Sequence, residues 1–449
     1  MKYNEFKELV TAAAKARGLE AYELYCTESE EVAAEVLYHE ISSFSTAAQT
    51  GASFRCIHEG KIGSAATELF TAQEAERIVE AAMENAYFTE NTESAFIHSS
   101  GDTYENPDPV ITPQPSAAQL EELALAIQEK AYGCDSRVAD GSLSEAAFLR
   151  SSVSLSNSRG LDLTRSRAYC LAACNPSVKE AGELYDSIEI KAAAFQDLNP
   201  QDIASKAVKD AVSTIGADTV ESGRYHLIFS GKMTATLLST FFSAFSGVDA
   251  QRGLSLWGGK EGETVAAPMV TITDNPFLEG SMIQVPFDSE GVATRCKNVI
   301  ENGRLVTLLH NLTTAAKAGI SSTGNGSRPG YASAVTVAPY NFYMEKGGAG
   351  SREDILREAG SGIYITQFNG LHAGANPITG DFSLSSAGFL VENGELTRPV
   401  KNFTISGNFY ELLKSISLVG DDLEFQTPKG DSCFGAPTIL VKDMPVAGK

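Results

Sequence analysis

The chain has 449 residues, is 43% hydrophobic and carries a formal charge of −22, from 57 acidic against 35 basic residues. That is enough chain for two or three domains, and its acidic field disfavours phosphate backbones and anionic membrane surfaces, so direct nucleic-acid binding and membrane attachment are not expected. No apolar run approaches the ~20 residues of a membrane span. The seven cysteines show no CxxC pair or disulfide-framework spacing, which points to a reduced, cytoplasmic protein.

In chain order, apolar spacing at Phe6, Leu9, Val10 and Ala13 predicts a helix over residues 3–17. It reads as an amphipathic helix, not a signal peptide, because it has no uninterrupted apolar core. Four strands are expected between Tyr22 and Gly63: AYELYCTE, EVAAEVLYHE, GASFRCIHE and KIGSAA. A helix follows from Thr71 to Glu84, with Thr71 and Glu74 spaced as a capping box. Ser, Pro and acidic residues over 99–115 mark a linker after a first domain, 1–98. A second domain, 116–220, begins with a helix from Ser116 to Tyr132. Strands are expected at Arg137–Asn157, Asp162–Cys174 and Glu180–Phe195, then a helix at Asn199–Gly216. The third piece, 221–449, is rich in strands and turns, with helices near Met233–Gly247 and Ser351–Gly360. The class is α+β with much antiparallel sheet, not an alternating parallel wheel.

The third piece holds the most specific sequence. An acidic turn, Asp288-Ser289-Glu290-Gly291, leads to Glu301-Asn302-Gly303-Arg304, where Asn-Gly suits a tight hairpin. VTLLHNL resumes an extended pattern, and a Gly/Ser/Asn loop, Ser321 to Gly326, follows. Then come Thr379-Gly380-Asp381-Phe382-Ser383, Val391-Glu392-Asn393-Gly394-Glu395-Leu396, Ile405-Ser406-Gly407-Asn408 and Val419-Gly420-Asp421-Asp422. This order resembles the TldD/PmbA family, also called modulator of DNA gyrase, in its PmbA/TldE branch, over nearly the whole chain. The resemblance implies a barrel-like C-terminal domain. It also implies a two-subunit cytosolic peptidase in which the TldD-type subunit carries a zinc motif, HExxxH.

This chain departs from that motif. With Tyr225 to Ser230 as the preceding strand, and with Arg252-Gly253-Leu254-Ser255 and Gly262-Glu263-Thr264-Val265 fixing the register, the first His, the Glu and the second His fall on Leu238, Ser239 and Ser243. Leucine has no donor atom, serine is a poor zinc ligand, and neither replaces the carboxylate that deprotonates a zinc-bound water. Cys433 stands where a TldD-branch cysteine approaches the metal, and without the histidines it reads as a packed or vestigial thiol. His39-Glu40 and His58-Glu59 lack a second histidine, while His226, His310 and His372 are isolated in sequence. No metal or cofactor is expected in this chain; zinc is expected in a TldD-like partner.

The resemblance marks other loops as cavity lining: Thr323, Gly324, Asn325, Asn369, Gly370, Asn376, Thr379 and Asn408. Amides, hydroxyls and glycines can bind a peptide backbone without demanding a sequence, and the same residues also serve as plain turns. Asp274, Asp288 and Glu290 read mainly as solvated acidic turns. The expected role is a non-catalytic subunit that admits unfolded peptides to a partner's zinc. Alternatives are a stand-alone homodimeric peptide-binding protein, or a hydrolase with an unrecognised site at Cys433 or Ser243.

Overall fold

The polypeptide between Tyr22 and Ala193 builds one twisted six-stranded antiparallel sheet, ordered Lys61–Thr67, Glu40–His58, Tyr22–Leu37, Leu143–Asn157, Asp162–Asn175, Glu189–Ala193. The computed structural model describes residues 1–89, 96–105, 107 and 110–449. Residues 90–95 of the expected first domain, and 106, 108 and 109 of the expected linker, lie outside the described residues. Pieces 1–98 and 116–220 meet in this sheet, because Tyr22–Leu37 pairs with Leu143–Asn157 from Glu23↔Asn157 to Leu37↔Leu143.

Alternation sets the layers. Leu24 and Cys26 pack against the helices Tyr3–Ala16 and Ala72–Phe88. Farther along the same strand face, Val32, Ala34 and Val36 pack against Ala117–Cys134 and Pro200–Ser213. The odd-numbered residues Glu23 and Tyr25 turn the other way, toward the third piece. The four strands expected between Tyr22 and Gly63 are three: Glu28–Glu31 does not break the first, and ISSFSTAAQT joins the second. Glu180–Phe195 is instead three short strands, Ser177–Glu180, Glu183–Asp186 and Glu189–Ala193. The Thr71 hydroxyl accepts from the Glu74 N–H at 3.2 Å, but the Glu74 carboxylate turns to Arg77, so only half of the expected capping box forms.

The third piece contains a closed five-stranded barrel: Glu395–Asn408, Asp381–Glu392, Gly362–Asn369, Gly223–Phe229 and Ile439–Ala447. Closure comes from Thr404↔Ala447 and Ile405↔Val446. Leu227, Phe229, Ile363, Ile365, Ile439 and Val441 face the large core. Ile228, Tyr364 and Leu440 face outward against the helix Arg352–Ala359. A second six-stranded sheet lies beside the barrel and includes Ile272–Asn275, Asn341–Met344 and Cys433–Ala436. Of the extended run expected after Asn302-Gly303, only Arg304–Leu305 is strand.

Candidate functional site

The helix expected at Met233–Gly247 starts at Gly231 and ends at Thr240, so it holds Leu238 and Ser239 but leaves Ser243 beyond its end. Ser230 caps it, accepting from the Met233 N–H at 3.3 Å. Glycine is required at 231, since a Cβ there would lie 2.5 Å from the Ala436 carbonyl oxygen. Beyond Thr240 aromatic packing takes over: Phe241 stacks on Phe409 at 4.7 Å, and Phe245 meets Trp257 and Phe342 at 4.9 Å each. Phe242–Phe245 is accordingly a single tight turn. Leu238 is 1% exposed within this core. Ser239 is half-buried, and the Ser243 hydroxyl donates to the Pro377 carbonyl at 3.2 Å.

Cys433 begins the strand packed against this helix and borders a cleft of about 350 Å³. Segments 190–192, 278–282 and 425–428 complete the lining. The thiol donates to the Gln426 carbonyl at 3.0 Å, and burial pushes its pKa up to about 12. A nucleophilic thiol needs the opposite environment. The donor set at 238, 239, 243 and 433 therefore does not fit zinc: one hydrocarbon, two serines and a thiol held protonated. Among the described residues no three His, Cys, Asp or Glu side chains are grouped to hold a metal ion.

The candidate loops divide into two groups. Thr323, Gly324 and Asn325 are buried and committed to internal hydrogen bonds. The Thr323 hydroxyl accepts from the His310 N–H at 2.7 Å. The Asn325 amide donates to Asp274 at 2.7 Å and to the Ala338 carbonyl at 3.0 Å, and its oxygen accepts from Lys297 at 3.1 Å. Gly324 has φ +72°, and a Cβ there would meet the Ala293 carbonyl at 2.7 Å. The second group lies on an accessible rim. Asn376 accepts from the N–H groups of Ile378 and Thr379, at 3.0 and 3.3 Å. Asn408 donates to the Thr379 carbonyl and to Asp381, each at 2.8 Å. With the Ser243–Pro377 bond, the rim brings position 243 together with Asn376, Thr379 and Asn408. Asn369 accepts from Gln367 at 3.2 Å, beside Gly370 at φ +74°.

The carboxylates read as solvated turns are buried instead: Asp274 is 0%, Asp288 1% and Glu290 2% exposed. Asp288 accepts from the N–H groups of Glu290, Val292 and Gly326, at 2.8, 3.0 and 2.8 Å. Burial, and then the neighbouring Glu290, outweigh those donors and raise its pKa to about 8. The pair borders an ionic seam between the N-terminal sheet and the third piece. Glu23 stands 3.2 Å from Arg55 and also pairs with Arg328, whose guanidinium lies 4.5 Å over the Tyr25 ring. Arg55 reaches Glu290 at 3.6 Å. Sequence reading missed this seam, because charged residues alternating with apolar ones look like a solvent-facing strand.

A cavity of about 750 Å³ lies elsewhere, between segments 96–105 and 292–322, and none of the candidate residues lines it. His98 and Asp102 pair there at 2.9 Å. His310 is buried against Thr314 at 3.1 Å, and burial lowers its pKa.

Comparison with known proteins covers all three pieces. Family models described as PmbA/TldA metallopeptidase domain 1, central domain and C-terminal domain match residues 22–86, 111–215 and 222–448. The metalloprotease PmbA of Escherichia coli O157:H7 is 26% identical over 404 residues, 87% of this chain and 84% of its own length. A metalloprotease TldD homolog of Haemophilus influenzae is 29% identical over 255 residues, 55% of this chain and 52% of its own. A solved Thermotoga maritima structure labelled a modulator of a DNA gyrase superposes with a TM-score of 0.90 at 30% identity, over 99% of this chain and 100% of its own. TldE from Thermococcus kodakarensis matches in fold, with a TM-score of 0.89 at 24% identity over 98% and 99% of the two chains.

Proposed function

The chain belongs to the PmbA/TldD metallopeptidase family, in its PmbA/TldE branch, and from that premise we propose that it is the non-catalytic subunit of a cytosolic TldD/TldE-type peptidase. A TldD-like partner supplies the zinc. This chain completes the cavity that admits unfolded peptides, with the rim of Asn369, Gly370, Asn376, Thr379 and Asn408 as its peptide-facing part. One observation supports the reading: the positions that the sequence alignment assigns to the zinc motif hold a core leucine and two serines, in a chain matched to the family along its length. The buried, protonated thiol of Cys433 and the carbonyl-bound hydroxyl of Ser243 argue against a hydrolase built on either residue. A stand-alone peptide-binding role is the remaining alternative.

The test is peptide cleavage by the purified chain, alone and mixed with a TldD-like protein from the same cell, with zinc assayed in each. Cleavage in the mixture only, with zinc following the partner, is the expected result. Stoichiometric zinc and cleavage in the chain alone would overturn it.

A further inference from the structure

The cavity of about 750 Å³ between segments 96–105 and 292–322 has no part in the peptidase reading. Its volume falls within the range of about 300–1,000 Å³ that small organic ligands occupy. Phe96, Phe277, Val292, Leu312 and Ile320 supply apolar wall. Ile320 is 48% exposed and Arg295 is exposed as well, so the space opens to solvent. The charged groups in the lining are few and unequally committed. Asp102 is paired with His98 at 2.9 Å and also accepts from the Ala293 N–H at 2.9 Å. Glu105 is exposed, where water and salt screen it. Arg295 is different: among the described residues it makes one hydrogen bond, to the Ser322 carbonyl at 3.1 Å, and no ion pair. A guanidinium carries five N–H donors in a planar fork, so most of its donors remain for water or a ligand.

We propose that this cavity binds an apolar organic acid, with the carboxylate on Arg295 and the apolar body against Phe96, Phe277, Leu312 and Ile320. The two oxygens of a carboxylate match the guanidinium fork as a bidentate pair. The walls call for the apolar body, since a small inorganic anion would leave them facing water. A phosphate would call for several cations or a nest of backbone N–H groups, and His98 is the only other basic residue in the lining. Two sources share this chemistry: a free small acid, and the C-terminal end of a peptide whose last residue is apolar. The inference goes beyond the peptidase reading and does not rest on it, because binding is read on this chain alone, without cleavage.

The experiment is a fluorescence titration of the full chain with dansyl-phenylalanine and with its amide, which keeps the apolar body and removes the charge. The wild type is expected to bind the acid roughly 10- to 100-fold more tightly than the amide, the usual worth of a hydrogen bond to a charged group. Arg295→Gln is expected to abolish that preference and to leave the affinity for the amide unchanged. Ile320→Asp should weaken both ligands. Both positions are exposed, so both variants are expected to melt as the wild type does. Displacement of the dansyl acid by a hexapeptide ending in leucine, and not by its C-terminal amide, would support the proposal with a peptide end as the ligand. A hexapeptide that fails to displace an acid preferred by the wild type would support it with a free acid as the ligand. Equal binding of acid and amide by the wild type, no binding of either, or a preference retained in Arg295→Gln would each overturn it. So would an Ile320→Asp variant that binds both as tightly as the wild type, because the ligand would then lie outside the cavity.

Discussion

Glu23 is fully buried between Arg55 and Arg328, and one of its carboxylate oxygens has no hydrogen-bond partner among the described residues. Removing it would leave two guanidinium groups in the seam without the carboxylate that they share. Glu23→Ala is therefore expected to cost about 3–5 kcal/mol, the usual effect of breaking a buried ion pair, as a lower urea midpoint. Asp288 gives a pH-dependent counterpart. Its folded pKa, raised to about 8, lies above the ordinary value of 3.8. Between about pH 4 and about pH 8 the folded chain holds a proton that the unfolded chain releases. The contribution of this group is therefore fully present at low pH and is lost as pH rises through that window. Glu290→Gln removes the neighbouring charge and should make the loss smaller. Urea midpoints at pH 5 and pH 8 should differ less in the variant than in the wild type. Equal differences in the two proteins would show that Glu290 does not act on Asp288.

Asn408 caps the helix Phe409–Ser415 by accepting from the Tyr410 and Glu411 N–H groups, while its amide nitrogen ties down Thr379 and Asp381. Asn408→Ala should cost about 1–2 kcal/mol through the lost cap, and it should loosen the 376–379 rim. In the proposed mixture this would be read as weaker peptide binding at conserved turnover. At this scale much was legible in the sequence. Asn302-Gly303 and Asn393-Gly394 both adopt positive φ at hairpin turns, as their dipeptides require. Helix starts at Ser116, Asn199 and Ser351 follow from their capping side chains. ISSFSTAAQT was not legible as strand, because its serines and alanines carry little β preference. It is strand because Tyr22–Leu37 pairs with it. The end of the motif helix at Thr240 was hidden for a similar reason: Phe241 to Phe245 fit a helix locally, and Phe409, Trp257 and Phe342 decide otherwise. The seam was the least visible feature, since alternation tells which residues share a face but not what that face meets.

For the whole molecule, the sheet that joins residues 1–98 to 116–220 predicts interdependent folding. A fragment of residues 1–98 leaves Tyr22–Leu37 without Leu143–Asn157. It should give no cooperative melt by circular dichroism, whereas residues 1–220 should give one. A cooperative melt from the short fragment would mean that the strand and its two helices suffice. The barrel carries the same dependence farther along the chain. Its first strand, Gly223–Phe229, lies between Gly362–Asn369 and Ile439–Ala447, with Gly223 paired to Val446. At the usual pace of synthesis, about 5–20 residues per second, that strand waits roughly ten to forty seconds on the ribosome for its last neighbour. Leu227, Ile228 and Phe229 have no ladder until Gly362–Asn369 is made and only one of their two until Ile439–Ala447 follows, so a nascent chain of this protein is most exposed to aggregation, and most in need of a chaperone, while its barrel is still being translated.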